Sequence, residues 1–334
     1  MRHHPRLLLL ALLSLTSVAI ASAAIAQASA EGNSSPRAHA AATYLTGIGD
    51  EQPEMFGNPL WTQLHMKIVR YIAPYDAATR PYSLDKAKVW IQDAEAKHEQ
   101  ILVAFYHSEY TPTKLPSVAL YKKDVQKFIK LFPRVKQYQA WDESNRGNVA
   151  HSFSSPSASA TAQYYQQLIR VCDGCTVLGL DVLDQANITP TLRYISEFKR
   201  EIVKLRTVMP KIWGLHNYSD INRLESVRTH ELVNAFGGQV WLTETGGLVQ
   251  FEPGFPNKHG SGLTRAAKVL KFMFNVAASI PQIKRLYIYD WTGGLNSTRF
   301  DAGLMNAHDQ PRPGYVVVCK QLHAAKCNVK TVNN

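Results

Sequence analysis

The sequence predicts a single-domain α/β fold, a (β/α)8 TIM barrel, and three observations carry that prediction. Eight short apolar runs, rich in β-branched and aromatic residues, alternate with longer amphipathic stretches. The alternation recurs about every 35 residues between positions 43 and 326, as eight strand–helix units require. Several runs lack polar alternation, as strands buried on both faces do. A doubly wound open sheet usually carries a glycine-rich phosphate loop after its first strand. Here Thr46-Gly47-Ile48-Gly49-Asp50 lacks the third glycine and the helix start.

Residues 1–28 come first and read as a signal peptide. Arg2 and Arg6 precede a Leu- and Ala-rich run, and A-x-A steps follow, among them Ala26-Gln27-Ala28. Residues 29–41 follow as a flexible leader, 42–328 as the barrel and 329–334 as a tail. Strands are expected at 42–48, 67–73, 101–106, 135–142, 176–182, 211–216, 240–243 and 285–289. Helical periodicity occupies 84–99, 117–131, 159–171, 191–208, 221–236 and 262–279, with Gly, Pro, Asn and Asp clustered between. Beyond residue 28 no apolar run is long enough to span a bilayer, so the mature chain is expected to be secreted with no transmembrane segment.

Of the 334 residues, 45% are hydrophobic and 10% aromatic, enough to build a full core, which excludes a disordered chain. The net charge of +11 leaves room for nucleic acid, a membrane surface or an acidic polymer as partner. No basic stripe with interleaved aromatics appears, so nucleic acid drops out as the main partner; the chain is expected to be a monomer. Export permits disulfides, and Cys172, Cys175, Cys319 and Cys327 allow three pairings. The local pairing Cys172–Cys175 and Cys319–Cys327 is expected. A four-thiolate zinc site is the alternative, although the second pair has the wrong spacing for a half-site.

In such a barrel the chemistry sits at the C-terminal ends of the strands. Arg70 lies on the second run; the third ends Tyr106-His107; the fourth ends Trp141-Asp142-Glu143-Ser144-Asn145; the fifth ends near Asp181. The sixth ends His216-Asn217-Tyr218, the seventh Thr243-Glu244-Thr245, and the eighth Tyr289-Asp290-Trp291. Glu143 and Glu244 stand on the fourth and seventh runs, on opposite sides of the barrel mouth. Paired carboxylates across a cleft are what cleavage of a glycosidic bond requires, one as proton donor and one ionised. Arg70 would hold a carboxylate ionised, and an aromatic such as Trp141 would raise its partner's pKa. His107, His216 and Asp181 lack the spacing of a metal motif, so no metal or other cofactor is expected.

The chain resembles the large clan of retaining glycoside hydrolases whose (β/α)8 barrels carry catalytic glutamates on strands four and seven. Trp141-Asp142-Glu143-Ser144-Asn145 resembles the clan's W-N-E-P-N acid/base motif, and Trp241-Leu242-Thr243-Glu244-Thr245-Gly246 its nucleophile strand. His216-Asn217-Tyr218 is similar to the sixth-strand H-x-Y, Tyr289-Asp290-Trp291 to the eighth strand, and Arg70 to the second-strand arginine. The resemblance implies a carbohydrate substrate, Glu143 as acid/base and Glu244 as nucleophile. The strand ends make Tyr106, His107 and Asp181 expected substrate contacts beside Arg70, Trp141, Asp142, Asn145, His216 and Tyr218, and the resemblance implies Trp291 as the floor of the sugar site. Two positions depart from the clan's pattern: Asp142 replaces Asn and Ser144 replaces Pro. An ionised Asp accepts hydrogen bonds where Asn donates them. Asp142 therefore keeps a second reading open, a catalytically silent carbohydrate-binding barrel.

Overall fold

The computed structural model describes residues 44–147, 153–251, 262–294 and 299–332. The expected signal peptide and leader, and the first two residues of the first expected strand, lie outside them. In chain order the strands are β1 (Leu45–Gly49), β2 (Ile68–Pro74), β3 (Gln100–Tyr106), β4 (Gln137–Gln139), β5 (Thr176–Leu178), β6 (Asp181–Leu183), β7 (Ile212–His216), β8 (Gln239–Thr245), β9 (Gln250–Phe251), β10 (Ile283–Tyr289) and β11 (Phe300–Asp301). Nine of them form one parallel sheet in the order β5-β4-β3-β2-β1-β10-β8-β7-β6, and β9 pairs antiparallel with β11 beside it.

The sheet closes through its fifth strand. β5 pairs with β4, and β6 pairs with β7, yet only Gly179 and Leu180 separate β5 from β6. Gly179 N–H donates to Ile212 O (2.9 Å) and Gly214 N–H to Leu180 O (2.7 Å), so the ladder runs on through the break. The single run expected at 176–182 is thus two short pieces of one barrel strand. The run expected at 135–142 pairs only over β4, because the chain leaves the sheet at Ala140 to build the loop described below.

The main outer helices are α2 (Pro81–Ala96), α3 (Val118–Leu131), α4 (Ala158–Val171), α5 (Thr189–Lys204), α7 (Val227–Phe236), α8 (Gly262–Ser279) and α9 (Pro313–Gln321); α1 (Pro59–Thr62) and α6 (Tyr218–Ile221) are single turns. Their starts follow ordinary capping chemistry. Ser117 and Ser157 accept from Leu120 N–H and Ala160 N–H (each 3.2 Å), and Pro opens α2 and α9. The helix expected at 221–236 is divided into α6 and α7, and the β9–β11 pair was not foreseen. Ile195, Phe198 and Ile202 of α5 are among the helix side chains that pack onto the sheet and form the main core.

Inside the barrel, Ile68, Leu102, Leu178, Trp241 and Tyr287 form a separate apolar cluster. A polar layer from alternate strands also fills the interior: Arg70 of β2, Gln139 of β4, Asp181 of β6 and Thr243 of β8. Gly214 of β7 makes room for it. A Cβ there would fall 2.5 Å from both Asp181 Oδ1 and Gln139 Nε2. Disulfides join Cys172 to Cys175 after α4, and Cys319 of α9 to Cys327 just beyond that helix, leaving no free cysteine among the described residues.

Candidate active site

Arg70 organises the mouth of the barrel. It is fully buried, and every arm of its guanidinium is used. Nε donates to Gln139 Oε1 (3.0 Å), Nη1 to Glu244 Oε1 (2.7 Å), and Nη2 to both Asp142 Oδ1 and Asp181 Oδ2, the latter at 2.9 Å. One planar fork thereby fixes carboxylates from three elements.

His216, at the end of β7, is the second hub. Its Nε2 lies 3.1 Å from Asp181 Oδ2, and its Nδ1 lies 3.2 Å from Glu143 Oε1 and 3.5 Å from Glu244 Oε2. Both nitrogens face carboxylates, so both must donate, and only the imidazolium carries two N–H groups. Burial disfavours that cation, but Asp181 and Glu244 outweigh it and hold the His216 pKa well above its ordinary value. Asp181 in turn is held well below the carboxylate range: its burial is outweighed by His216 and Arg70, with a further hydrogen bond from Thr243 Oγ1 (2.5 Å).

Glu143 sits in an unusual backbone. Its φ is +43°, in the left-handed region that costs a non-glycine residue about 1–3 kcal/mol. The surrounding loop is pinned from both sides. Asp142 N–H donates to Phe105 O (2.7 Å), Ser144 N–H to Asp181 O (2.9 Å), and Asn145 grips Leu183 through both its amide atoms (2.8 and 3.0 Å). Glu143 Oε2 accepts from Arg146 Nη1 at 2.6 Å, and Arg146 lies over the Phe153 ring at 4.7 Å. Glu244 accepts from Tyr218 Oη (3.3 Å) as well as from Arg70.

The two glutamates therefore share one nitrogen. At 3.2 and 3.5 Å from His216 Nδ1, their facing oxygens are about 6.7 Å apart at most. That bound reaches down over the spacing of about 5–5.5 Å used for covalent displacement and barely enters the range of about 6.5–9.5 Å that leaves room for water. Burial raises the Glu244 pKa above its usual value; for Glu143 burial is outweighed by His216 and Arg146, which bring it below.

Exposure sorts the residues expected here. The side chains of Asp142, Glu143 and Glu244 keep 5, 10 and 6% of their surface open, whereas Arg70, Asp181 and His216 are closed at 0%. These last three hold the carboxylates in place and are themselves covered by their neighbours. Asn145 spends its amide on Leu183 and on Thr191 Oγ1 (2.8 Å). Trp141 is buried between Tyr75 and Tyr164, and Trp291 is buried edge-on against Trp61 and Tyr315. Both tryptophans are covered by these neighbours, Trp291 where the sugar floor is expected. The ring edges left at the mouth belong to other residues. Tyr106, His107 and Phe153 line one side, and Tyr218, Tyr289, Phe251 and Phe300 the other. Burial lowers the His107 pKa, keeping that ring neutral near pH 7.

Asp50 and Glu51, just beyond β1, were missed. Asp50 accepts from Gln52 N–H and Thr292 N–H (each 2.7 Å), and Glu51 from Tyr289 Oη (2.9 Å). Burial, then the neighbouring Asp50 and Glu244, push Glu51 up to about 8. Asp142, His216 and Glu244 also place ligand atoms within 4.8 Å of one another, but Arg70 already supplies the cation between Asp142 and Glu244.

Comparison with solved structures follows this geometry. Xylanase 10B from Thermotoga petrophila RKU-1, solved with xylobiose, superposes with a TM-score of 0.58 at 13% identity, covering 84% of this chain and 94% of its own. The shared feature is the (β/α)8 barrel fold. Xylanase XynB from Paenibacillus barcinonensis gives a TM-score of 0.61 at 8% identity, covering 83% of this chain and 95% of its own. A glucosidase from Croceicoccus marinus gives 0.61 at 12%, over 84% of this chain and 65% of its own. No protein-family profile and no curated protein sequence matches the chain.

Proposed function

We propose that this barrel is a retaining glycoside hydrolase acting on an oligo- or polysaccharide, and that it is exported. The observation that carries the reading is the pair Glu143 and Glu244, which face a single imidazole nitrogen, His216 Nδ1, at 3.2 and 3.5 Å across the barrel mouth. Glu143 donates a proton to the leaving oxygen as the glycosidic C–O bond breaks, and Glu244 attacks the anomeric carbon to form a glycosyl ester. Glu143, now ionised, removes a proton from water, which attacks the same carbon and releases Glu244, so configuration is retained. The solved barrels of the same fold, xylanases and a glucosidase by their names, support this chemistry over a silent binding role. The order of A-x-A steps after an apolar run supports export.

In the unliganded protein Arg146 and His216 keep Glu143 ionised, so it takes up a proton before it acts as the acid. Arg146 is nearly half exposed and Glu143 almost closed, so Arg146 is the group that yields when a leaving oxygen approaches. The test is a glycan panel. Release of reducing sugar is expected from the wild type and not from Glu244→Ala, with a mechanism-based sugar trapped on Glu244 by mass spectrometry. Cleavage that survives Glu244→Ala would overturn the assignment.

A further inference from the structure

The cluster held by Arg70 and His216 contains one acid more than those two cations can neutralise. Arg146 pairs with Glu143 alone. The remaining set comprises three carboxyl groups, Asp142, Asp181 and Glu244, and two cations, Arg70 and His216. A third buried negative charge there has no partner, and burial makes an unpartnered charge expensive. The proton that restores balance goes to the acid with the weakest claim on the cations. Asp181 takes Arg70 Nη2, His216 Nε2 and Thr243 Oγ1; Glu244 takes Arg70 Nη1, Tyr218 Oη and His216 Nδ1. Among the described residues Asp142 has only Arg70 Nη2, shared with Asp181, and stands 3.9 Å from His216.

We propose that Asp142 is held as a neutral carboxylic acid whose O–H donates a hydrogen bond to a hydroxyl of the bound sugar. Its Oδ1 accepts from Arg70 as a carbonyl oxygen, which leaves the protonated oxygen for the 5% of the side chain open to the cleft. A neutral Asp is nearly isosteric with Asn and, unlike the ionised form, can donate. Among the described residues, its charged or titratable neighbours are Arg70 on β2, Tyr106 on β3, Asp181 on β6, His216 on β7, Glu244 on β8, and Glu143 and Arg146 on its own loop. Burial first, and then the repulsion of Glu244 and Asp181 against the pull of Arg70 and His216, lifts the Asp142 pKa well above the carboxylate range.

The hydrogen bond to sugar rests on the glycosidase reading; the protonation state does not, and the two are tested separately. An infrared difference spectrum of unliganded wild type minus Asp142→Asn near neutral pH should contain the C=O band of one protonated carboxyl group. Finding a carboxylate band in its place overturns the proposal whether or not the protein cleaves glycans. In kinetics, Asp142→Leu should lose about tenfold or more in kcat/KM relative to Asp142→Asn, the scale of one hydrogen bond. Equal losses in the two variants overturn the donor role. The basic limb of kcat/KM should keep its position in Asp142→Asn. If Asp142 were ionised, removing its charge would lower the Glu143 pKa and move that limb to lower pH, which would also overturn the proposal.

Discussion

Arg146 lies three residues beyond Glu143 and carries its guanidinium to within 2.6 Å of Glu143 Oε2, with the Phe153 ring beneath it. Acid catalysis needs the protonated form of Glu143, so the basic limb of kcat/KM reports the pKa that Arg146 and His216 depress. Activity is therefore expected on the acid side of the usual glutamate-controlled range. Arg146→Gln removes one depressing charge, raises the Glu143 pKa and should move the basic limb to higher pH, measured as kcat/KM against pH. A limb that stays in place, or moves down, would separate Glu143 from that titration. Asp142 and Trp291 mark the limits of reading single residues from sequence. Spacing assigns a residue to a strand end, but not the direction of its side chain, and the aromatic packing that buries Trp291 involves Trp61 and Tyr315, far away in the chain.

The loop after β4 is the element on which the chemistry depends, because it holds Glu143 in a backbone conformation that a non-glycine residue adopts at a cost. Asn145 fastens it to Leu183 and Thr191, so Asn145→Ala should destabilise the fold by about 1–3 kcal/mol by denaturant unfolding, leaving Leu183 N–H without its partner. The same change should lower kcat more than it raises KM, since it frees the catalytic loop without touching the binding walls. A variant with normal kcat would mean that the left-handed turn holds itself. Most elements were legible because apolar runs and caps are local signals. The break of the fifth strand was not legible, since it depends on Gly179 and Leu180 bonding to β7 rather than β4. Asp50 and Glu51 were legible in principle: they follow β1 just as Glu143 follows β4, and a consistent reading of all eight strand ends would have included them.

At the scale of the molecule, the barrel interior combines an apolar cluster with a polar layer, and the disulfides stand apart from both. Cys319–Cys327 closes a loop with a sequence separation of 8, for which chain entropy predicts about 2–3 kcal/mol of stabilisation. Replacing both cysteines by Ala should lower the unfolding free energy by about that amount without altering the pH profile of activity; a changed profile would tie this loop to the cleft. The eight-stranded frame and its repeat were visible in the sequence from one end to the other. The hydrogen bonds of the polar layer were not, because they join side chains from β2, β4, β6 and β8 that only barrel closure brings together.

Arg70 serves Asp142, Asp181 and Glu244 at once, and such sharing makes their chemistry reciprocal. When Glu244 is esterified by the sugar it gives up its negative charge, and the fork that it releases is free for Asp142. On the proposed mechanism, acidity at Asp142 should therefore rise when the covalent intermediate forms, and by linkage a charge on Asp142 should stabilise the ester. The guanidinium thus acts as a common terminal through which a bond made at one oxygen is registered as a proton loosened at another.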